Sequence, residues 1–212
     1  MIVPIRAFIH ATELCPRRGA GQDRISVSAT RDRGRDRVVI ALADGAGGTA
    51  GGERAAEAVI EAVAAAQGDD WAAVLTELEL DPDRLGPGQT TAVVVTVTLD
   101  GIRGASAGDS GAWVIRDGQI EDLTHGQQRK PLIGDHSVAR PFAAGPLGGG
   151  TLLVASDGLL RHGRPDEIAR IASGPDLAAA ARELVGLVRL PSGEVPDDIA
   201  IVLCREVDRP AP

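Results

Sequence analysis

Tyrosine is absent from this 212-residue chain, and aromatic residues as a class make up only 2% of it. Hydrophobic residues still account for 43%, so a sizeable core is available, and Ala, Val, Leu and Ile must build it. There are two cysteines, Cys15 and Cys204, far apart and without C-x-x-C spacing. That excludes a disulfide framework and a sulfur-ligated zinc site, and reads as two reduced thiols. Lys130 is the single lysine, which leaves a phosphate-cradling P-loop without its cation. No apolar run approaches the roughly 18 residues of a membrane span, and the start lacks the basic and apolar regions of a signal peptide. A formal charge of −8 argues against a nucleic-acid or anionic-membrane surface. The chain is therefore expected to be a cytoplasmic monomer without nucleic-acid or membrane partners.

What the chain does have is four short segments centred on aspartate: Ala43-Asp44-Gly45-Ala46-Gly47-Gly48, Gly108-Asp109-Ser110-Gly111, Ala155-Ser156-Asp157-Gly158 and Pro196-Asp197-Asp198-Ile199-Ala200. Asp44, Asp109 and Asp157 each follow an apolar, strand-like run, and Asp197 just precedes one. Four carboxylates at strand ends can converge on one edge of a sheet structure. Carboxylate oxygens without sulfur or imidazole favour magnesium or manganese.

At this length one domain is expected, spanning 1–207, with 208–212 as a C-terminal tail. Strands are predicted from Ile2 to His10, Ile25 to Ala29 and Val38 to Ala43, with the mixed-charge run Arg31 to Arg37 as a solvated hairpin tip. Ala55, Ala58, Val59, Ala62 and Val63 recur at helical spacing between Ala50 and Ala66, and Trp71 to Leu80 reads as a second helix. Thr91 to Leu99 is the strongest strand. Ile102 to Ala107, Ala112 to Arg116, Thr151 to Ala155 and Ile199 to Leu203 are further strands. Asp166 to Ala172 and Asp176 to Leu190 are helices introduced by proline, and residues 124–150 are rich in loop. Strands at both ends with helices in pairs between them suit two sheets covered by helices, an α+β fold, better than an alternating βαβ array.

An Asp-Gly pair after a strand is ordinarily a turn, and the chain contains its own controls. Asp100-Gly101 and Asp117-Gly118 are each followed by a returning strand, whereas Asp44-Gly45 opens a glycine-rich run into a helix and Asp157-Gly158 leads into Leu159-Leu160-Arg161. A turn accounts only for the first two. The run from Gly45 to Ala50 loosely fits a dinucleotide fingerprint, but the acidic residue expected after a second strand is missing, since Asp69 and Asp70 follow a helix. Gly108-Asp109-Ser110-Gly111 resembles a serine-protease nucleophile segment, yet the only histidine upstream is His10, in a strand. His10, His125, His136 and His162 read as surface residues.

Six segments in fixed order resemble the PPM-type, metal-dependent (type 2C) serine/threonine protein phosphatases, in their compact bacterial form. They are Arg18 with Gly21-Gln22-Asp23, Ala43 to Gly48, Gly88-Gln89-Thr90-Thr91-Ala92, Gly108-Asp109-Ser110, Ala155 to Leu159, and Asp197-Asp198-Ile199-Ala200. The resemblance covers residues 10 to 205 and implies a β-sandwich of two mainly antiparallel sheets flanked by helix pairs, in α-β-β-α layers. It implies that Asp44 bridges two Mn²⁺ or Mg²⁺ ions, that Asp157 and Asp197 hold one of them, and that the Gly45 carbonyl holds the other, with Asp23 supporting it through water. Asp109, with Asp157, would contribute to a third ion, and Arg18 would grip the substrate phosphate, a role that a guanidinium's paired donors suit and that its neighbour Arg17 could equally fill. The implied reaction is hydrolysis of phosphoserine or phosphothreonine in a protein, the target of a serine/threonine kinase, by water shared between the ions.

Ala46 stands where many eukaryotic members carry a histidine, and Asp198 takes the usual asparagine position. Only 47 residues separate Asp109 from Asp157, so the flap beside the site is expected to be short. Its candidate, Gln127 to Gly134, has local positive charge suited to a phosphorylated segment. The alternative is a catalytically weak, phosphatase-like binding module, against which the retention of Asp44, Asp157 and Asp197 weighs.

Overall fold

A computed structural model describes residues 8–32, 35–46 and 51–207. The predicted strand from Ile2 to Ala7, the tip residues Arg33 and Gly34, the glycine run from Gly47 to Ala50 and the tail 208–212 lie outside the described residues. One five-stranded sheet has the order β1 (Phe8–Cys15), β12 (Ile199–Glu206), β11 (Thr151–Ala155), β8 (Gly111–Arg116), β9 (Gln119–Asp122). The other has the order β10 (Arg140–Ala144), β7 (Gly101–Ala107), β6 (Ala92–Thr98), β3 (Arg35–Ala43), β2 (Arg24–Asp32). All these pairings are antiparallel, and the short β4 (Gly45–Ala46) and β5 (Gln89–Thr90) pair apart from both sheets.

The central strands are apolar at nearly every position because both of their faces are covered. In β3, Val38, Ile40 and Leu42 point into the space between the sheets, while Val39, Ala41 and Ala43 point outward to helices. β12 repeats the device, with Ala200, Val202 and Cys204 inward and Ile199, Ile201 and Leu203 outward. The outer face of the β3 sheet is covered by α1 (Gly52–Ala65) and α2 (Trp71–Glu79), with α3 (Pro82–Leu85) beside them. The outer face of the β12 sheet is covered by α5 (Pro165–Ala172) and α6 (Leu177–Leu187), while α4 (Asp157–Leu160) is a single turn at the end of β11. Four layers result, helix, sheet, sheet, helix, as expected for an α+β sandwich. Asp70 and Asp176 cap α2 and α6 by accepting from the backbone N–H of Ala73 and Ala179.

Several elements differ from the sequence-based expectation; the run Arg31 to Arg37, expected as a solvated tip, carries the end of β2 and the start of β3, which pair there, and Asp36 in it is buried. β1 runs on to Cys15, beyond the expected end at His10, because its whole length pairs with β12. It is an edge strand with much of its surface in water, so its polar residues hide it from an apolar-run criterion. β10 lies inside the region read as loop; it is the opposite sheet's edge, where Pro141 is tolerated. Between the predicted helix ending at Leu80 and the strand from Thr91 the structure adds α3, with Pro82 in its first turn, where its missing N–H costs nothing. The second of the C-terminal helices also stops at Leu187 rather than Leu190.

Candidate metal centre and cleft

Strand ends bring the expected carboxylates together. Asp44 follows the last residue of the fully covered β3, and its backbone is locked at the start of the neighbouring hairpin. Its N–H donates to Thr91 Oγ1 (3.1 Å), and its carbonyl accepts from Thr91 N–H (2.9 Å) and from Thr90 Oγ1 (2.9 Å). Thr91 Oγ1 in turn meets Ser110 Oγ at 2.7 Å, which ties Asp44 to the segment carrying Asp109. The Gly88 to Ala92 segment thus acts as a seam between two acidic loops.

A second seam joins Asp157 to Asp197. The buried Ser156 accepts from Ala200 N–H at Oγ (2.9 Å) and donates its own N–H to the Ala200 carbonyl (3.0 Å). A Cβ on Gly158 would overlap the carbonyl oxygen of Asp198. That glycine is therefore required by close approach of two loops rather than by a turn, which is why the Asp157-Gly158 pair behaves unlike Asp117-Gly118. Asp197 lies one residue before Asp198, accepting from the Asp198 N–H at 3.0 Å.

Asp44, Gly45, Asp109, Asp157, Asp197 and Arg18 all line one open cleft of about 780 Å³. Asp23 lies behind this surface and is only 5% exposed. Both of its carboxylate oxygens are buried without a hydrogen-bond partner among the described residues. The Ser156 hydroxyl and the Asp44 carboxyl are near enough to influence its proton but do not satisfy it. Burial, then the charge of Asp198, pushes Asp23 up to about 7. Asp44 is pushed up to about 9, by burial first and then by the charges of Asp23, Asp157 and Asp197. Asp157 is raised too, by burial and by Asp109 and Asp197, with Arg161 and His162 opposing.

This is a place where negative charge is crowded and underpaired. The donors are all oxygens, two of them buried orphans, and each carboxylate raises its neighbour's proton affinity; such a set fits hard divalent cations. Among the described residues no three acidic, imidazole or thiol side chains already form a closed ligand shell.

Sequence reasoning missed the residues that brace the site. Asp198 accepts from the backbone N–H of Arg17 (2.7 Å) and of Gln22 (2.6 Å), so it holds the loop between β1 and β2 that carries Arg18. Its place beside Asp197 was visible, but its bonds cross 176 residues or more and leave no local signal. Arg129 lies 3.3 Å from Asp109, and Arg161 lies 3.9 Å from Asp157. Arg161 was visible only as the fourth residue after Asp157 on one helical turn. All four histidines are exposed, as expected, and Ser110 is buried against Thr91, which removes it as a nucleophile.

Comparison with known proteins gives the same class of fold. No family model matches the chain. The catalytic domain of the serine/threonine protein phosphatase PstP, in complex with two manganese ions, superposes with a TM-score of 0.73 at 23% identity, covering 95% of this chain and 99% of that one. The serine/threonine phosphatase of S. agalactiae superposes with a TM-score of 0.75 at 21% identity, covering 94% and 100%. The chain thus has the fold of bacterial serine/threonine phosphatases, and the likeness expected from the ordered motifs holds at the level of architecture. In sequence it is 26% identical over 212 residues to PstP of Mycobacterium tuberculosis, covering 80% of this chain and 40% of that protein. It spans less than half the length of that relative. Among the described residues no helix is long and apolar enough to cross a membrane.

Proposed function

We propose that this chain is a Mn²⁺- or Mg²⁺-dependent phosphatase domain that hydrolyses phosphoserine or phosphothreonine in a protein substrate of a serine/threonine kinase. One observation carries the reading: carboxylates from separate segments, Asp44, Asp157 and Asp197, meet in a single cleft with the buried, unpartnered Asp23 behind them and the Arg18 loop at the rim. The four-layer fold shared with PstP and the S. agalactiae enzyme supports it.

In this reading Asp44, Asp157, Asp197 and the Gly45 carbonyl hold two divalent ions, Asp23 supports them, and Asp109 contributes to a third. The ions, when bound, supply Lewis acidity that activates water and neutralises phosphoryl oxygens. The chain itself does the rest. Arg18 has no ion-pair partner among the described residues, and its fork of donors matches two phosphate oxygens. Asp198 keeps that loop in place. Among the described residues the hydroxyls of Ser110 and Thr91, beside the carboxylates, are buried against each other and are not free to form a covalent intermediate. Ala46 offers no proton to the leaving group, so an exposed serine or threonine alkoxide must take its proton from solvent in the cleft.

The test is p-nitrophenyl phosphate hydrolysis with manganese, with chelator, and in Asp157→Asn. Turnover that needs both metal and Asp157 is expected, and the variant should lose about a hundredfold or more while keeping its fold. Wild-type rates in the variant would sink the assignment. Metal binding by calorimetry without cleavage of this ester or of a phosphothreonine peptide would favour a binding module instead.

A further inference from the structure

Four cations line the cleft, Arg17, Arg18, Lys130 and Arg161, and only Arg161 has an ion-pair partner among the described residues. Asp44, Asp157 and Asp197 are given to the ions in the function proposed above, and of the cleft's other carboxylates Glu53 pairs with Arg24, Asp109 with Arg129, and Asp198 accepts two backbone N–H groups. Arg18 suffices for the phosphate in the function proposed above. Arg17 and Lys130 are then positive charges with nothing to neutralise, in a chain whose net charge is −8.

Both stand on backbone that is fixed close by. Arg17 donates its N–H to Asp198 at 2.7 Å. Lys130 sits two residues before the buried Leu132, in a segment tied down by Thr90 and Ile133, which exchange backbone hydrogen bonds of 3.1 and 2.9 Å. Glu79, at the end of α2, secures the continuation of that segment. Its carboxylate accepts from Gly134 N–H (2.9 Å), His136 N–H (2.8 Å) and the Ser137 hydroxyl (2.8 Å). Three bonds from one carboxylate fix the backbone that follows Lys130.

From this we infer that the cleft selects phosphorylated segments bearing further negative charge beside the scissile phosphate, read by Arg17 and Lys130, with Glu79 as the positioning residue for Lys130. The inference rests on the phosphatase reading for its substrate class. It follows from charge, because a phosphate with neutral flanks leaves both cations unpaired while acidic flanks pair them.

The experiment uses two phosphothreonine peptides that differ only in having Glu or Gln on both sides of the phosphorylated residue, at matched ionic strength with manganese. Hydrolysis and fluorescence anisotropy are measured on both. Wild type is expected to favour the Glu peptide about tenfold in kcat/KM, and Arg17→Gln and Lys130→Gln should each reduce that ratio about threefold, the scale of exposed ion pairs. Glu79→Ala should reduce the ratio as Lys130→Gln does, with manganese affinity unchanged, and combining the two should add nothing. A wild-type ratio near one, or a ratio that survives both cation substitutions, overturns the inference; an unchanged ratio in Glu79→Ala removes Glu79 from it. Hydrolysis of both peptides without preference defeats this inference alone. Failure to cleave either peptide or p-nitrophenyl phosphate defeats the phosphatase reading, while anisotropy still decides the selection, for it if the Glu peptide binds tighter and against it if not.

Discussion

Asp23 and Asp36 bracket the hairpin of β2 and β3, and each is 5% exposed. Equal burial has been handled in opposite ways. Near the hairpin tip, Asp36 lies 3.8 Å from the guanidinium of Arg31, so its charge is partnered locally. At the other end, both oxygens of Asp23 are orphaned and the neighbouring groups are more carboxylates. Burying a carboxylate without a cation is costly, and proteins ordinarily avoid it by pairing or by neutralisation. In the reading proposed above the Asp23 end is a site for a cation that the chain does not itself supply, and the Asp36 end is architecture.

The comparison breaks most sharply if the acidic end proves dispensable. Asp44→Asn keeps shape and removes charge. Turnover with manganese is expected to fall about a thousandfold or more, since several kcal/mol of transition-state stabilisation depend on ions this residue would hold. In metal-free protein near neutral pH the same change should raise stability, measured by urea unfolding, because the folded chain no longer has to keep a buried carboxyl protonated far above its free value. Loss of activity accompanied by loss of metal-free stability would mean that Asp44 is structural, like Asp36.

The pH dependence of metal-free stability is the next largest effect. Folded Asp23 and Asp44 hold protons up to about pH 7 and 9, while the unfolded chain releases them near 3.8. The folded state therefore binds more protons over that range, so the pair's contribution to stability is complete below about pH 4 and is lost as pH rises toward 9. The expected decline is on the order of a few kcal/mol in urea-derived unfolding free energy. Saturating manganese should flatten it, because a bound cation replaces the proton. A metal-free stability that rises steadily from pH 5 to pH 9 would contradict the burial assigned to these two residues.

How much of this was legible in the sequence divides along the same line. Asp44, Asp157 and Asp197 could be placed because each adjoins a strand covered on both faces, whose apolar run is continuous and whose end is therefore clear. Asp23 was reached through the ordered motifs; its burial was not legible, because nothing local distinguishes Gly21-Gln22-Asp23 from a solvated loop. Asp198, Thr91 and Ser156 act through backbone partners 44 or more residues away, so their roles appear only once the strands are paired. Edge strands β1 and β10 were misjudged for a related reason, since half of an edge strand's bonding and much of its surface lie outside the pattern that reveals a central strand. Glu79 belongs to the same class: a helix-end acid by sequence, a three-bond anchor for the cleft wall in space.

The smallest effect belongs to the partnered end and sharpens the contrast by its modesty. Asp36→Asn leaves the Arg31 charge, which is largely in water, to solvent, and puts an amide where a carboxylate met a guanidinium. A loss of about 1 kcal/mol in urea unfolding is expected, the scale of one ion pair with one partner in water. Manganese affinity by calorimetry and turnover of p-nitrophenyl phosphate should stay at wild-type values, because the tip lies at the far end of the hairpin from the cleft. If Asp36→Asn instead weakened metal binding, the two ends of the hairpin would be electrostatically linked through β2 and β3, and burial without a partner would no longer be what sets the site apart.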